Sequence, residues 1–139
     1  MEYNLNRFVE AQQHIYTNAL NEIKNGKKTS HWMWFIFPQL DGLGYSDMAK
    51  KFAIRNIGEA EAYLKHPILG NRLIEITKIL NALKTNAPEE IFGGIDALKL
   101  RSSMTLFAGL HNADPVFENV LAKFFENQKD ARTIALLNL

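Results

Sequence analysis

The chain has 139 residues, 47% hydrophobic and 22% charged, with a formal net charge of +1. This suits one globular domain that buries its core without covalent staples, and the interspersed charges argue against a nucleic-acid partner, whose binders gather basic residues on one face. There is no cysteine, which excludes disulfides, thiolate catalysis and Cys-ligated zinc or iron–sulfur centres.

The opening Met1-Glu2-Tyr3-Asn4 has neither the basic start nor the apolar stretch of a secretory leader. Next, Phe8, Ala11, Ile15, Ala19 and Ile23 share one helical face, with Glu10, Asn18 and Glu22 off it. The spacing predicts a single helix over 6–25, capped by Asn6 and ended by a left-handed Gly26. Lys24–Lys28 and Lys50-Lys51, the tight basic clusters, read as solvated helix ends. Residues 32–37 form a short buried strand or one or two helical turns, and a run this short does not decide between them. Pro38 stops either form, and Asp41-Gly42 and Leu43-Gly44 supply a turn. Ser46 caps a short helix through Met48, Phe52 and Ile54, which Asn56-Ile57-Gly58 breaks; 59–64 is another short helix. Leu69, Leu73, Ile76, Leu80 and Leu83 predict a helix over 67–85 with Pro67 as its first residue. Pro88-Glu89-Glu90 opens a brief helix ending at Gly93-Gly94. Asp96 caps the next, on which Leu100, Met104 and Phe107 share a face. Asp114-Pro115 starts a helix striped by Phe117, Val120, Leu121 and Phe124, and Asp130 caps a last one through Leu137. No alternating strand pattern recurs. The expectation is a single all-α domain over 1–139. It is a compact bundle of six to eight helices, several short, with an irregular aromatic-rich segment in its core.

That segment, Ser30-His31-Trp32-Met33-Trp34-Phe35-Ile36-Phe37-Pro38-Gln39-Leu40-Asp41-Gly42-Leu43-Gly44, holds both tryptophans. Its apolar core, the seven residues 32–38, is the longest apolar run and far too short to span a bilayer. The segment combines with Tyr63-Leu64-Lys65-His66-Pro67-Ile68-Leu69-Gly70 and Lys99-Leu100-Arg101-Ser102-Ser103-Met104-Thr105-Leu106-Phe107 in a pattern that resembles the domain-of-unknown-function family 1810, small and mainly α-helical bacterial proteins. The resemblance covers essentially the whole chain. It implies a compact, mostly helical fold; it implies no activity, and no catalytic residue is carried over from it.

The candidate chemistry lies at the segment's polar ends and in residues 99–105. His31 is the one catalytic candidate, a general base near neutral pH; hydrogen bonding at the entry to the core is the alternative. Trp32, Trp34 and Tyr45 are either core packing or a stacking wall for a flat ligand. Gln39, Gly42 and Gly44 are either a tight turn or a loop offering backbone N–H groups to an anion. Two serines and a threonine within a helix, beside two cations, either bond back to the preceding turn or gather Lys99, Arg101, Ser102 and Ser103 around a phosphate or carboxylate. The four histidines lack metal-ligand spacing, so no metal is expected, and the residues name no cofactor. The function expected is cytoplasmic binding of a small planar or anionic, nucleotide-like metabolite between the aromatic segment and residues 99–103. The alternative is a non-catalytic protein-interaction domain. Neither involves nucleic acid or membrane, and the chain is a monomer or weak homo-oligomer.

Overall fold

The amino-terminal apolar stripe folds as two helices, not one. In the computed structural model, which describes residues 3–138, α1 (Asn6–Gln12) and α2 (Tyr16–Lys24) meet at a tight turn. There the N–H groups of Gln13 and Ile15 reach back three residues, to the carbonyls of Glu10 and Gln12. The turn sends Gln12 into the core, where its Nε2 donates to the Phe35 carbonyl (2.7 Å) and the Tyr63 hydroxyl (3.0 Å). Asn6 is the first helical residue instead of the cap, its amide donating to Glu10. Gly26 does end α2 with φ +76°, its N–H and that of Lys27 closing onto the Ile23 and Glu22 carbonyls.

Residues 32–37 resolve into one helical turn, α3 (Met33–Ile36). Ser46 caps α4 (Asp47–Lys51) by accepting from Ala49 N–H at 3.1 Å. This helix stops before Ile54, which instead forms an isolated parallel bridge with Leu40. Asn56, expected to break a helix, starts one: its side chain accepts from Glu59 N–H at the head of α5 (Ile57–Lys65). α6 (Leu69–Asn81) begins later than expected because His66 takes the capping role, its Nδ1 accepting from Ile68 and Leu69 N–H. The two helices expected either side of Gly93 run together as α7 (Pro88–Ala108), but Gly93, at φ 76° and ψ 173°, breaks the helical path. Asp96 pairs with lysines and caps nothing. Asp114 and Asp130 cap α8 (Pro115–Phe125) and α9 (Ala131–Leu137) as the spacing predicts. The class is all-α, with nine helices among the described residues.

α5 packs on α6, α6 on α2 and α8, and α7 on α8 and α9. Through the centre runs a ladder of rings from Phe35 through Phe52, Phe8, Tyr63 and Phe107 to Phe117, each 5.1–5.7 Å from the next. Such spacing adds edge and tilted ring contacts to the burial of apolar area.

Glu22, expected on a polar face, is buried. Its Oε1 accepts from Thr29 N–H (2.6 Å), Ser30 N–H (3.0 Å) and the Trp32 indole Nε1 (3.0 Å), and its Oε2 from Asn18 Nδ2 (2.7 Å). Burial by itself raises the carboxyl pKa; the bonds from Thr29, Ser30 and Trp32 more than reverse this and hold it at about 2. Hydrogen bonds to a charged group contribute roughly 1.5–3 kcal/mol each, so four of them outweigh the desolvation. Because the folded pKa lies below the ordinary 4.5, the stabilisation is complete above that pH and fades as pH falls toward 2. Glu22→Gln is therefore expected to be less stable than wild type at neutral pH. Urea denaturation as a function of pH should show the gap narrowing by about 3 kcal/mol on acidification to pH 2. A gap independent of pH would mean that the carboxylate charge is not what holds the turn.

Candidate functional site

A cavity of about 450 Å³ opens between residues 39–46, one face of α7 and the first turn of α9. Gln39, Leu43, Gly44, Tyr45, Ser46 and Ala49 line one side; Ile95, Leu98, Lys99, Arg101 and Ser102 line another; Asp130 and Arg132 close it. The loop side is shaped by Pro38, by the Leu40–Ile54 bridge, and by Gly42 at φ +101°. The α7 side depends on Gly93, whose left-handed backbone starts a new helical phase just before Ile95.

The expected site residues divide. Gln39, Gly44, Tyr45, Lys99, Arg101 and Ser102 meet on this cavity. Trp34 lies behind it, half-buried, lining a small recess with Gln39, Gly42 and Gly44, with Lys99 Nζ 5.2 Å from its ring centre. Gly42 accepts from Arg132 Nη2 through its carbonyl at 3.1 Å. Trp32 is not on the wall: it is fully buried and its indole N–H is taken by Glu22. Ser103 is likewise fully buried, its Oγ without a partner among the described residues. His31 is exposed and outside the lining. The other hydroxyls of α7 bond back one turn, Ser102 to the Leu98 carbonyl (3.1 Å) and Thr105 to that of Arg101 (2.8 Å).

Besides Leu43, Ser46 and Ala49 of the loop side, four lining residues lie outside the expected set. Arg132 and Asp130 come from the far end of the chain, where only the cap at Asp130 is legible. Ile95 and Leu98 are apolar yet off the Leu100–Met104–Phe107 stripe, and an apolar pair out of phase with a buried face is itself a sequence mark of a surface site.

The electrostatics are lopsided. Lys99, Arg101 and Arg132 face one lining carboxylate, Asp130. Asp96 lies behind Lys99 (3.7 Å) and also holds the Nζ of Lys28 (2.9 Å). Asp130 is largely engaged by its own helix, Oδ2 accepting from Thr133 N–H (2.9 Å) and Oγ1 (2.6 Å). A second basic cleft, about 690 Å³, lies between Asn4, Arg7, Asp41, Lys50, Lys51, Ala53 and Arg55. There Arg7 is already bound to the buried Glu59 (3.1 Å) and to the carbonyls of Lys51 and Ala53. No group of three or more His, Asp or Glu suited to a metal occurs among the described residues, and no helix there is long and apolar enough to cross a membrane. Asp130→Ala removes both cap bonds and is expected to lower stability by about 1–2 kcal/mol in urea denaturation, with Asp130→Asn restoring most of it. Equal losses in the two variants would show that the charge beside Arg101, not the cap, is what matters.

None of the curated proteins matches the chain. Among solved structures it is similar to the conserved hypothetical protein Rv1873 from Mycobacterium tuberculosis, at 47% sequence identity over 99% of this chain and 98% of that one, with a TM-score of 0.96. A family model described as a protein of unknown function, DUF1810, matches residues 2–137. The chain therefore belongs to the DUF1810 family.

Proposed function

We propose that the chain binds a small planar, anionic, nucleotide-like metabolite in the cavity between residues 39–46 and the Lys99–Ser102 face of α7. One observation carries the reading: exposed apolar side chains and an excess of cations share one concave surface. Tyr45 is 76% exposed, Ile95 75% and Leu98 58%, and all three line the cavity with Lys99, Arg101 and Arg132. Apolar walls with a few convergent polar groups are the usual make-up of a small-molecule site. Tyr45 would stack on the planar part, Ile95 and Leu98 would cover its edge, and the cations would take the charge. His31, Trp32 and Ser103, which lie off the wall, have no part in this reading, and it assigns no reaction. It takes the protein as cytoplasmic, a monomer or weak homo-oligomer, with no nucleic-acid partner.

The same exposed Tyr45, Ile95 and Leu98 favour a second reading, a protein-interaction surface with the aromatic segment serving only as core. Thermal unfolding against a panel of nucleotides and phosphorylated metabolites separates the two. A ligand at ~100 times its dissociation constant is expected to add roughly 2.7 kcal/mol of stability, and Tyr45→Ala with Leu98→Ser should abolish the shift. No shift across the panel would sink the metabolite reading in favour of the second.

A further inference from the structure

The cavity's charges differ in how far the protein has already satisfied them. Arg7 shows what a structural arginine looks like here: its guanidinium donates to Glu59 and to the carbonyls of Asn4, Lys51 and Ala53. Lys99 stands over the Trp34 ring and 3.7 Å from Asp96. Arg132 donates to the Gly42 carbonyl. Arg101 is different. Its side chain is only 28% exposed, so water does not freely solvate it, yet its buried Nε has no hydrogen-bond partner among the described residues. Asp130, the one carboxylate within ion-pair distance among the described residues, stands 3.9 Å away, beyond hydrogen-bond reach. A buried N–H with no acceptor is costly, and native structures rarely keep one unless something else fills the place. A guanidinium on a cavity wall, with one long ion pair and an unpartnered Nε among the described residues, fits an oxyanion that arrives with a ligand.

The charge count selects the oxyanion. With Asp96 behind Lys99 and its second partner Lys28 included, four cations against two carboxylates leave an excess of two positive charges. A phosphomonoester carries between about −1.5 and −2 near pH 7, whereas a single carboxylate neutralises only half of the excess. The geometry points to a phosphomonoester group seated on the Arg101 guanidinium, with Lys99 and Arg132 flanking it and the planar remainder of the molecule against Tyr45. The ligand class is thus a nucleoside monophosphate or a similarly built aromatic phosphomonoester. The inference rests on the metabolite reading and adds the group recognised and the residue that recognises it.

The test is calorimetric titration of the full chain with the four common ribonucleosides and their 5′-monophosphates. Wild type is compared with Arg101→Ala, Arg101→Lys and the double variant K50A/K51A, which alters the other basic cleft. At least one monophosphate is expected to bind tenfold or more tightly than its nucleoside, since charge-assisted bonds of this kind contribute at least that factor. Arg101→Ala should erase the preference. Arg101→Lys, which keeps the charge but loses the planar fork and is the variant to read if the alanine chain unfolds, should lose most of it. K50A/K51A should leave it unchanged. Equal binding of nucleoside and monophosphate, a preference that survives both Arg101 variants, or one that vanishes in K50A/K51A would overturn the phosphate assignment while leaving the metabolite reading standing. Failure of every nucleoside and monophosphate to bind would overturn the phosphate assignment, and the metabolite reading falls with it only when the wider thermal panel is also silent.

Discussion

A single buried carboxylate organises the turn on which the core depends. Glu22 gathers two backbone N–H groups, an indole N–H and a side-chain amide, so the chain leaving α2 must reverse within a few residues and deliver Trp32 inward. Without that acceptor, the indole nitrogen and the Thr29 and Ser30 amides would be left as unpaired polar groups beside a packed interior. Such groups are costly to bury. Lys28 reinforces the same turn, its N–H bonded to the Ile91 carbonyl, its Nζ paired with Asp96 and 5.0 Å from the Trp32 ring centre. The turn thereby ties α2 to both sides of the Gly93 break.

The two tryptophans, two residues apart, have different duties because they lie on a helical turn, where such neighbours diverge. Trp32 goes to the interior and to Glu22. Trp34 goes toward the recess behind the cavity and lies under Lys99. An aromatic run that reads as one unit is thus divided between holding the fold together and backing a charged surface.

What could be read from sequence was what is local. Ser46, Asp114 and Asp130 are caps because a short polar side chain reaches its own backbone two or three residues on. The Leu69–Leu73–Ile76–Leu80 stripe is buried because its period matches the helix. What escaped reading depends on distant partners. Gln12 breaks the first helix for the sake of Phe35 and Tyr63. Glu22 looks like a surface residue until the donors of the following turn that need it are seen. On the cavity, residues chosen for aromatic or polar character, such as Tyr45 and Arg101, were legible. Arg132 was not, since nothing local connects it to a carbonyl 90 positions earlier in the chain.

That long span has a consequence for how the molecule opens. The central helices hold one another through buried rings and stripes. The far wall of the cavity hangs instead on the Arg132–Gly42 bond, the Asp130–Thr105 contact and partly buried Leu136 and Leu137. Contacts closing so large a loop form late in folding, and a wall with few buried apolar groups unfolds locally at lower free energy than the core. The seven-residue α9 is accordingly the element expected to open first, so the cavity's far wall is less firmly held than the core behind it.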